Sequence, residues 1–173
     1  MRGSVTPQAA FDQYHQAVYS FLYRMTRQTD VAEDLTQECF LALVRAPGRF
    51  DAARGEMKTY LFAIARNLAL KHYRDSGSED PLDAGEPVAA FDPRNALDAA
   101  TSVAAAIAAL PTLQQEALIL FEYEGVTLEE LARIAGADVG TVKSRLHRAR
   151  ERLRRVLAAY RKGGSPHGTM GTR

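Results

Sequence analysis

The stretch from Leu128 to Leu153, LEELARIAGADVGTVKSRLHRARERL, constrains this chain most. It reads as a short helix, a tight turn and a longer basic helix. Thr127, with Glu130 three residues on, has the pattern of a capping box, in which side chains satisfy the free backbone donors of a helix start. Leu128, Leu131, Ala132 and Ala135 then recur at helical spacing. Gly136 stops this helix and Asp138 can cap the next. In the second helix Val142, Leu146, Ala149 and Leu153 share one face, at i, i+4, i+7 and i+11. The other side of its first turns carries Thr141, Ser144 and Arg148, flanked by Lys143, Arg145 and His147. The pattern predicts a helix-turn-helix whose second helix offers hydrogen-bonding groups to a major groove. An ordinary helical hairpin with a solvated basic face is the plainer alternative. Turn spacing, caps and charge placement together favour the former.

The net charge of +1 conceals an asymmetry. From Asp138 to Lys162 nine basic residues face two acids, whereas from Asp75 to Asp98 seven acids face the single base Arg94. A basic helix beside an acidic segment suits one surface that meets nucleic acid and another that is kept from it. The one cysteine, Cys39, excludes an intramolecular disulfide framework. It sits on the apolar side of its helix, with no lysine or arginine close in sequence to activate it, and is expected in the core. No apolar run approaches the ~20 residues of a membrane span, and the N-terminal residues lack a hydrophobic signal core. A cytoplasmic location without membrane insertion is therefore expected.

The chain is expected to be all-α: two small helical domains joined by a flexible acidic linker, the C-terminal one a helix-turn-helix. Thr6-Pro7 starts the first helix, a cap residue followed by proline at the first helical position. Asp30 with Glu33 gives a second capping-box pattern, opening a helix that runs to about Ala46 before Pro47-Gly48. A loop to Glu56 and a helix from about Met57 to Asp75 complete the first domain, 6–75. The Gly-, Pro-, Ser- and acid-rich residues 76–94 form the linker. The second domain, 95–162, holds helices at about 95–110, 112–124, 128–135 and 139–161, and 163–173 form a disordered tail.

Two further segments carry chemistry. In AEDLTQECF, Leu35, Cys39, Ala42 and Leu43 point inward and leave Glu33, Asp34, Gln37, Glu38 and Arg45 as polar surface. In MKTYLFAIARNLALKHYRD, the aromatics Tyr60, Phe62 and Tyr73 alternate with Lys58, Arg66, Asn67, Lys71, His72 and Arg74. Tyr60, Asn67, Lys71 and Arg74 fall on one side of that helix. Ring faces beside positive charge suit unstacked single-stranded bases, and the glycines of the loop 48–55 allow a base to come close. Catalysis finds little support: there is no phosphate-cradling glycine loop, and the four histidines are scattered without metal-ligand spacing. No catalytic residue, metal or cofactor is expected.

Taken in order, DVAEDLTQECFLAL, TYLFAIARNLALKHYR, LPTLQQEALILFEYEGVTLEELA and VGTVKSRLHRARERLR make the chain resemble the extracytoplasmic-function (ECF) sigma factors of bacteria, within the sigma-70 family. The resemblance implies that 6–75 is sigma region 2 and 95–162 is sigma region 4. It implies polymerase contacts at Asp34, Leu35, Gln37 and Glu38. It implies reading of an unpaired −10 element by Tyr60, Arg66, Asn67, Lys71, Tyr73 and Arg74, and of a duplex −35 element by Thr141, Lys143, Ser144, Arg145, His147 and Arg148. The family often has tryptophan where Tyr60 stands, so stacking here is by a smaller ring. The implied partners are core RNA polymerase, promoter DNA and an anti-sigma factor, and no covalent catalysis is implied. The rival reading is a stand-alone helix-turn-helix regulator of duplex operators, which leaves the DLTQE helix and the aromatic-basic helix without a task.

Overall fold

The structure, a computed structural model, describes residues 5–77 and 99–163. Among them are seven α-helices and no strand. The expected linker and tail lie outside the described residues from 78 and 164 on.

Helix α1 spans Pro7–Thr26, with Pro7 in its first turn and the Thr6 hydroxyl accepting the Ala9 N–H at 3.2 Å. It ends at Arg27, the one non-glycine residue with positive φ (59°) among those described. Helix α2 spans Thr29–Arg45 and corrects the expected Asp30–Glu33 capping box: its cap is Gln28, and no side chain bonds the cap. The two helices are joined so tightly that Thr29 is already helical. Asp30 thus falls in the first turn, where its charge complements the positive end of the helix dipole. The Thr26 hydroxyl instead ties the junction, donating to the Leu22 carbonyl at 2.9 Å and accepting from the Gln28 N–H at 3.4 Å. A single 3-10 turn, Pro47–Arg49, leads through the loop to α3, Met57–Asp75. Helices α1, α2 and α3 pack on one another around Phe21, Leu22, Leu61, Phe62 and Cys39, all fully buried. Phe21 and Phe62 meet edge to face, with centroids 5.7 Å apart, an arrangement that adds to area burial through the ring quadrupoles.

The second set comprises α4 (Ala99–Ala108), α5 (Thr112–Leu118), α6 (Leu128–Ala135) and α7 (Val139–Gly163). The helix expected over 112–124 is in two parts: after α5 the backbone widens into a π-helical turn, Ile119–Tyr123. The Glu124 N–H reaches back five residues to the Ile119 carbonyl at 3.2 Å. Every residue from Pro111 to Leu120 is buried, because α5 lies between α7 on one side and the first helical set on the other. The capping box of α6 forms as expected: Glu130 N–H to Thr127 Oγ1 at 3.1 Å and Thr127 N–H to Glu130 Oε2 at 2.7 Å. Thr127→Ala is expected to cost about 1 kcal/mol, read as a lowered urea midpoint with an unchanged slope.

The two sets are in contact. Helix α3 packs on α6, and α1 packs on α4 and on the π-helical turn.

Candidate nucleic-acid and polymerase interface

Gly136 takes the left-handed conformation (φ 61°) that ends α6. Asp138 then accepts the Thr141 N–H at 2.7 Å at the start of α7. That bond holds the Asp138 carboxyl below its ordinary range, fixing a negative charge where the first turn of α7 exposes its free N–H groups. Val142, Leu146 and Ala149 are buried, and Leu153 packs on the same core. This anchors α7 so that Lys143, Ser144, His147 and Arg148 stand exposed in one patch. Thr141 is half-buried beside them. Arg145 does not join the patch. It is half-buried, with Nε and Nη1 turned into the interior without a hydrogen-bond partner, and its charge acts on Glu116. It lies one residue off the exposed stripe, toward α5.

Helix α3 separates the −10 candidates in the same way. Asn67, Lys71 and Arg74 are exposed. Tyr60, on the same side, is half-buried with its ring 5.4 Å from that of Phe50 in the adjoining loop. Arg66 and Tyr73 lie roughly 120–140° around the helix from Tyr60, at 3.6 residues per turn. They face protein instead of solvent: Arg66 pairs with Glu116 of α5, and the Tyr73 hydroxyl donates to the Met25 carbonyl. The loop between α2 and α3 is held by the Asp51 carboxylate, which accepts the Ala53 N–H at 2.9 Å. Gly48 has open space around it, so a base could approach the backbone there.

On α2, Asp34, Gln37 and Glu38 are exposed, whereas Leu35 is buried and serves the core. The polymerase role implied for Leu35 is corrected accordingly: an inward residue supports the surface without touching what lands on it. The structure also adds residues that the sequence reading passed over. Pro7, Gln8 and Phe11 of α1 and Gln37, Phe40, Leu41 and Val44 of α2 line a shallow groove of about 350 Å³. Phe11, Leu41 and Val44 there are 40%, 46% and 55% exposed, an apolar concentration of the kind that marks interaction surfaces. The signal was present in Leu41 and Val44, which are apolar yet off the inward stripe of α2.

Cys39 is fully buried, and its thiol donates to the Leu61 carbonyl at 3.5 Å. Burial pushes it up to about 12, so it is a core residue. Among the described residues no group of His, Cys, Asp and Glu could hold a metal ion. No helix among them is long and apolar enough to cross a membrane.

Two helical units, one with an aromatic-basic helix and the other with a capped helix-turn-helix, define a DNA-binding protein with two separate reading surfaces. Residues 10–79 match Sigma-70 region 2, and residues 100–153 match Sigma-70, region 4. The chain is 33% identical over 162 residues to the ECF RNA polymerase sigma factor SigM of Mycobacterium tuberculosis, covering 89% of this chain and 80% of that one. It is 32% identical over 154 residues to the ECF RNA polymerase sigma factor BldN of Streptomyces coelicolor. That match covers 85% of this chain and 58% of BldN, so the chain spans less than two thirds of that relative. Among solved structures, it resembles the sigma factor RpoE of Bartonella quintana in its co-crystal with the anti-sigma factor NepR. The TM-score is 0.67 at 28% identity, over 87% of this chain and 96% of that one. The chain belongs to the ECF sigma factors of bacterial RNA polymerase.

Proposed function

We propose that this protein binds core RNA polymerase in the cytoplasm, directs it to a subset of promoters and helps open the duplex there. The observation that carries this reading is the order of its parts: a region 2 unit and a region 4 unit on one chain, each presenting an exposed basic helix face. Asn67, Lys71, Arg74 and Tyr60, with the loop 49–56, receive the unpaired −10 strand. Lys143, Ser144, His147 and Arg148, with Thr141 at their edge, read the −35 duplex. The groove of Phe11, Leu41 and Val44 with Asp34, Gln37 and Glu38 around it docks on polymerase, its apolar floor supplying affinity and its acidic rim orientation. The protein makes and breaks no covalent bond itself. An anti-sigma factor controls it, as the complex of RpoE with NepR suggests by similarity.

Gel filtration with core polymerase, followed by run-off transcription, tests the assignment. Co-elution and promoter-dependent transcripts are expected. A chain that binds operator duplexes but neither co-elutes nor initiates would be a stand-alone regulator.

The −35 reading makes a sharper prediction. Arg148→Ala is expected to weaken binding to a −35 duplex by about 1–3 kcal/mol, with the loss concentrated on one base pair. A loss that is equal for every −35 variant would reduce the residue to a phosphate contact.

A further inference from the structure

The contact between the two units is made mainly by polar groups. Arg66 Nε donates to both carboxylate oxygens of Glu116, at 3.0 and 2.8 Å, with the two side chains 14% and 1% exposed. Around this pair, Lys58 Nζ donates to the Glu124 carbonyl at 2.8 Å, and Gln115 Nε2 lies 3.4 Å from the carbonyls of Arg24 and Met25. Arg133 Nη1 donates to the Arg54 carbonyl at 3.3 Å. The Arg24 guanidinium lies 4.3 Å from the centre of the Tyr123 ring.

Two physical points follow. First, these groups all regain hydrogen bonds from water if the units separate. A contact of this kind is reversible, whereas a permanent one would bury mostly apolar surface. Second, the closed arrangement is too small for a promoter. By their names the −10 and −35 elements lie about 25 base pairs, or roughly 85 Å, apart at ~3.4 Å per step. A compact chain of this length is only roughly 40 Å across, from a radius of gyration of about 16 Å. With α3 packed on α6, the two reading faces cannot reach both elements at once.

We propose that the Arg66–Glu116 pair and the hydrogen bonds around it form a clasp that holds the free chain closed, and that core polymerase separates the two units when it takes the chain up. This rests on the proposed function above. The clasp withdraws Arg66 and the loop carbonyl of Arg54 from the −10 side. It leaves the −35 face exposed, so it prevents joint recognition without hiding α7. A hydrogen bond to a charged group is worth enough that losing one should shift the open-to-closed ratio roughly ten- to a hundredfold.

The test uses the full chain with either Glu116→Gln or the double substitution Lys58→Met, Arg133→Met, none of which touches a proposed DNA-reading residue. Small-angle scattering of the free proteins is expected to show a compact wild type and larger variants. The probe DNA has a −35 duplex joined to an unpaired −10 strand. Both variants should bind it about tenfold or more tightly than wild type does, and bind a −35-only duplex equally well. An extended wild type would overturn the clasp, as would variants that stay helical by circular dichroism and match wild type in both assays. Polymerase co-elution and run-off by the wild type are read separately. If they fail while the variants still expand, the proposed function is wrong and the clasp stands.

Discussion

Promoter opening is expected to fall by roughly 30- to 1000-fold when Tyr60→Ala and Asn67→Ala are combined, while polymerase binding persists. The estimate joins two losses. Stacking of a base on an aromatic ring contributes about 1–3 kcal/mol, and an adaptable hydrogen bond to a base edge about 0.5–1.5 kcal/mol. A flipped base has lost its neighbours, at a cost of a few kcal/mol, and the pocket must return about that much. Tyr60 and Asn67 share one side of α3. The Tyr60 ring is steadied by Phe50 at 5.4 Å, while the Asn67 side chain is exposed. Permanganate reactivity of unpaired thymines reads opening directly, and co-elution with core polymerase is the control for folding. Normal reactivity from the double variant would mean that this face of α3 is merely solvated.

The positions of the helices were readable because each reports itself locally. Thr6-Pro7, the Thr127–Glu130 box, Gly136 and Asp138 each act within a turn of their own position, and the apolar stripe of α7 needs only its own period. The cap of α2 was misread because the pattern Asp30–Glu33 does not state where the preceding helix stops. Thr26 and the left-handed Arg27 set that, and they move the start to Thr29. The π-helical turn at Ile119–Tyr123 had no local mark at all. The site residues divide by the same logic. Helical spacing says which side chains share a face, and it placed Asn67, Lys71, Lys143, Ser144 and His147 together on exposed ones. It does not say what covers the remaining faces. Arg66, Tyr73 and Arg145 look like further basic or aromatic readers until α1 and α5 are seen against them. Glu116 is the clearest case, an acid in an unremarked helix whose burial comes from both flanks at once.

Removing the cation from that buried pair is expected to have the largest energetic effect on the closed form. In Arg66→Ala the Glu116 carboxylate keeps its burial and loses the guanidinium bonded to it, a change that costs about 3–5 kcal/mol when a buried ion pair is broken from one side. The size of the loss should depend on pH. Burial already pushes the Glu116 carboxyl above its ordinary value of 4.5, opposed first by Arg66 and then by Arg145. Without Arg66 it rises further. An acid whose folded value is raised retains its proton in the closed state after it has released it in the open one. Stability therefore falls as pH rises from about 4.5 towards that raised value. Below the window the carboxyl is neutral in both states, and the missing cation matters little. Glu124 is also raised, chiefly by burial, but it is present in both proteins and its contribution largely cancels in the difference. At pH 7.5 the variant has a way out, since separating the units lets Glu116 reach water. The loss should then appear as opening before it appears as unfolding. Scattering is expected to show Arg66→Ala expanded at pH 7.5 and closer to wild type near pH 4.5, with helicity retained at both. Adding Glu116→Gln to Arg66→Ala removes the unpaired charge and should abolish the pH dependence of this difference. A pH-independent expansion of Arg66→Ala would show that the lost packing of the arginine, and not the stranded carboxylate, opens the molecule.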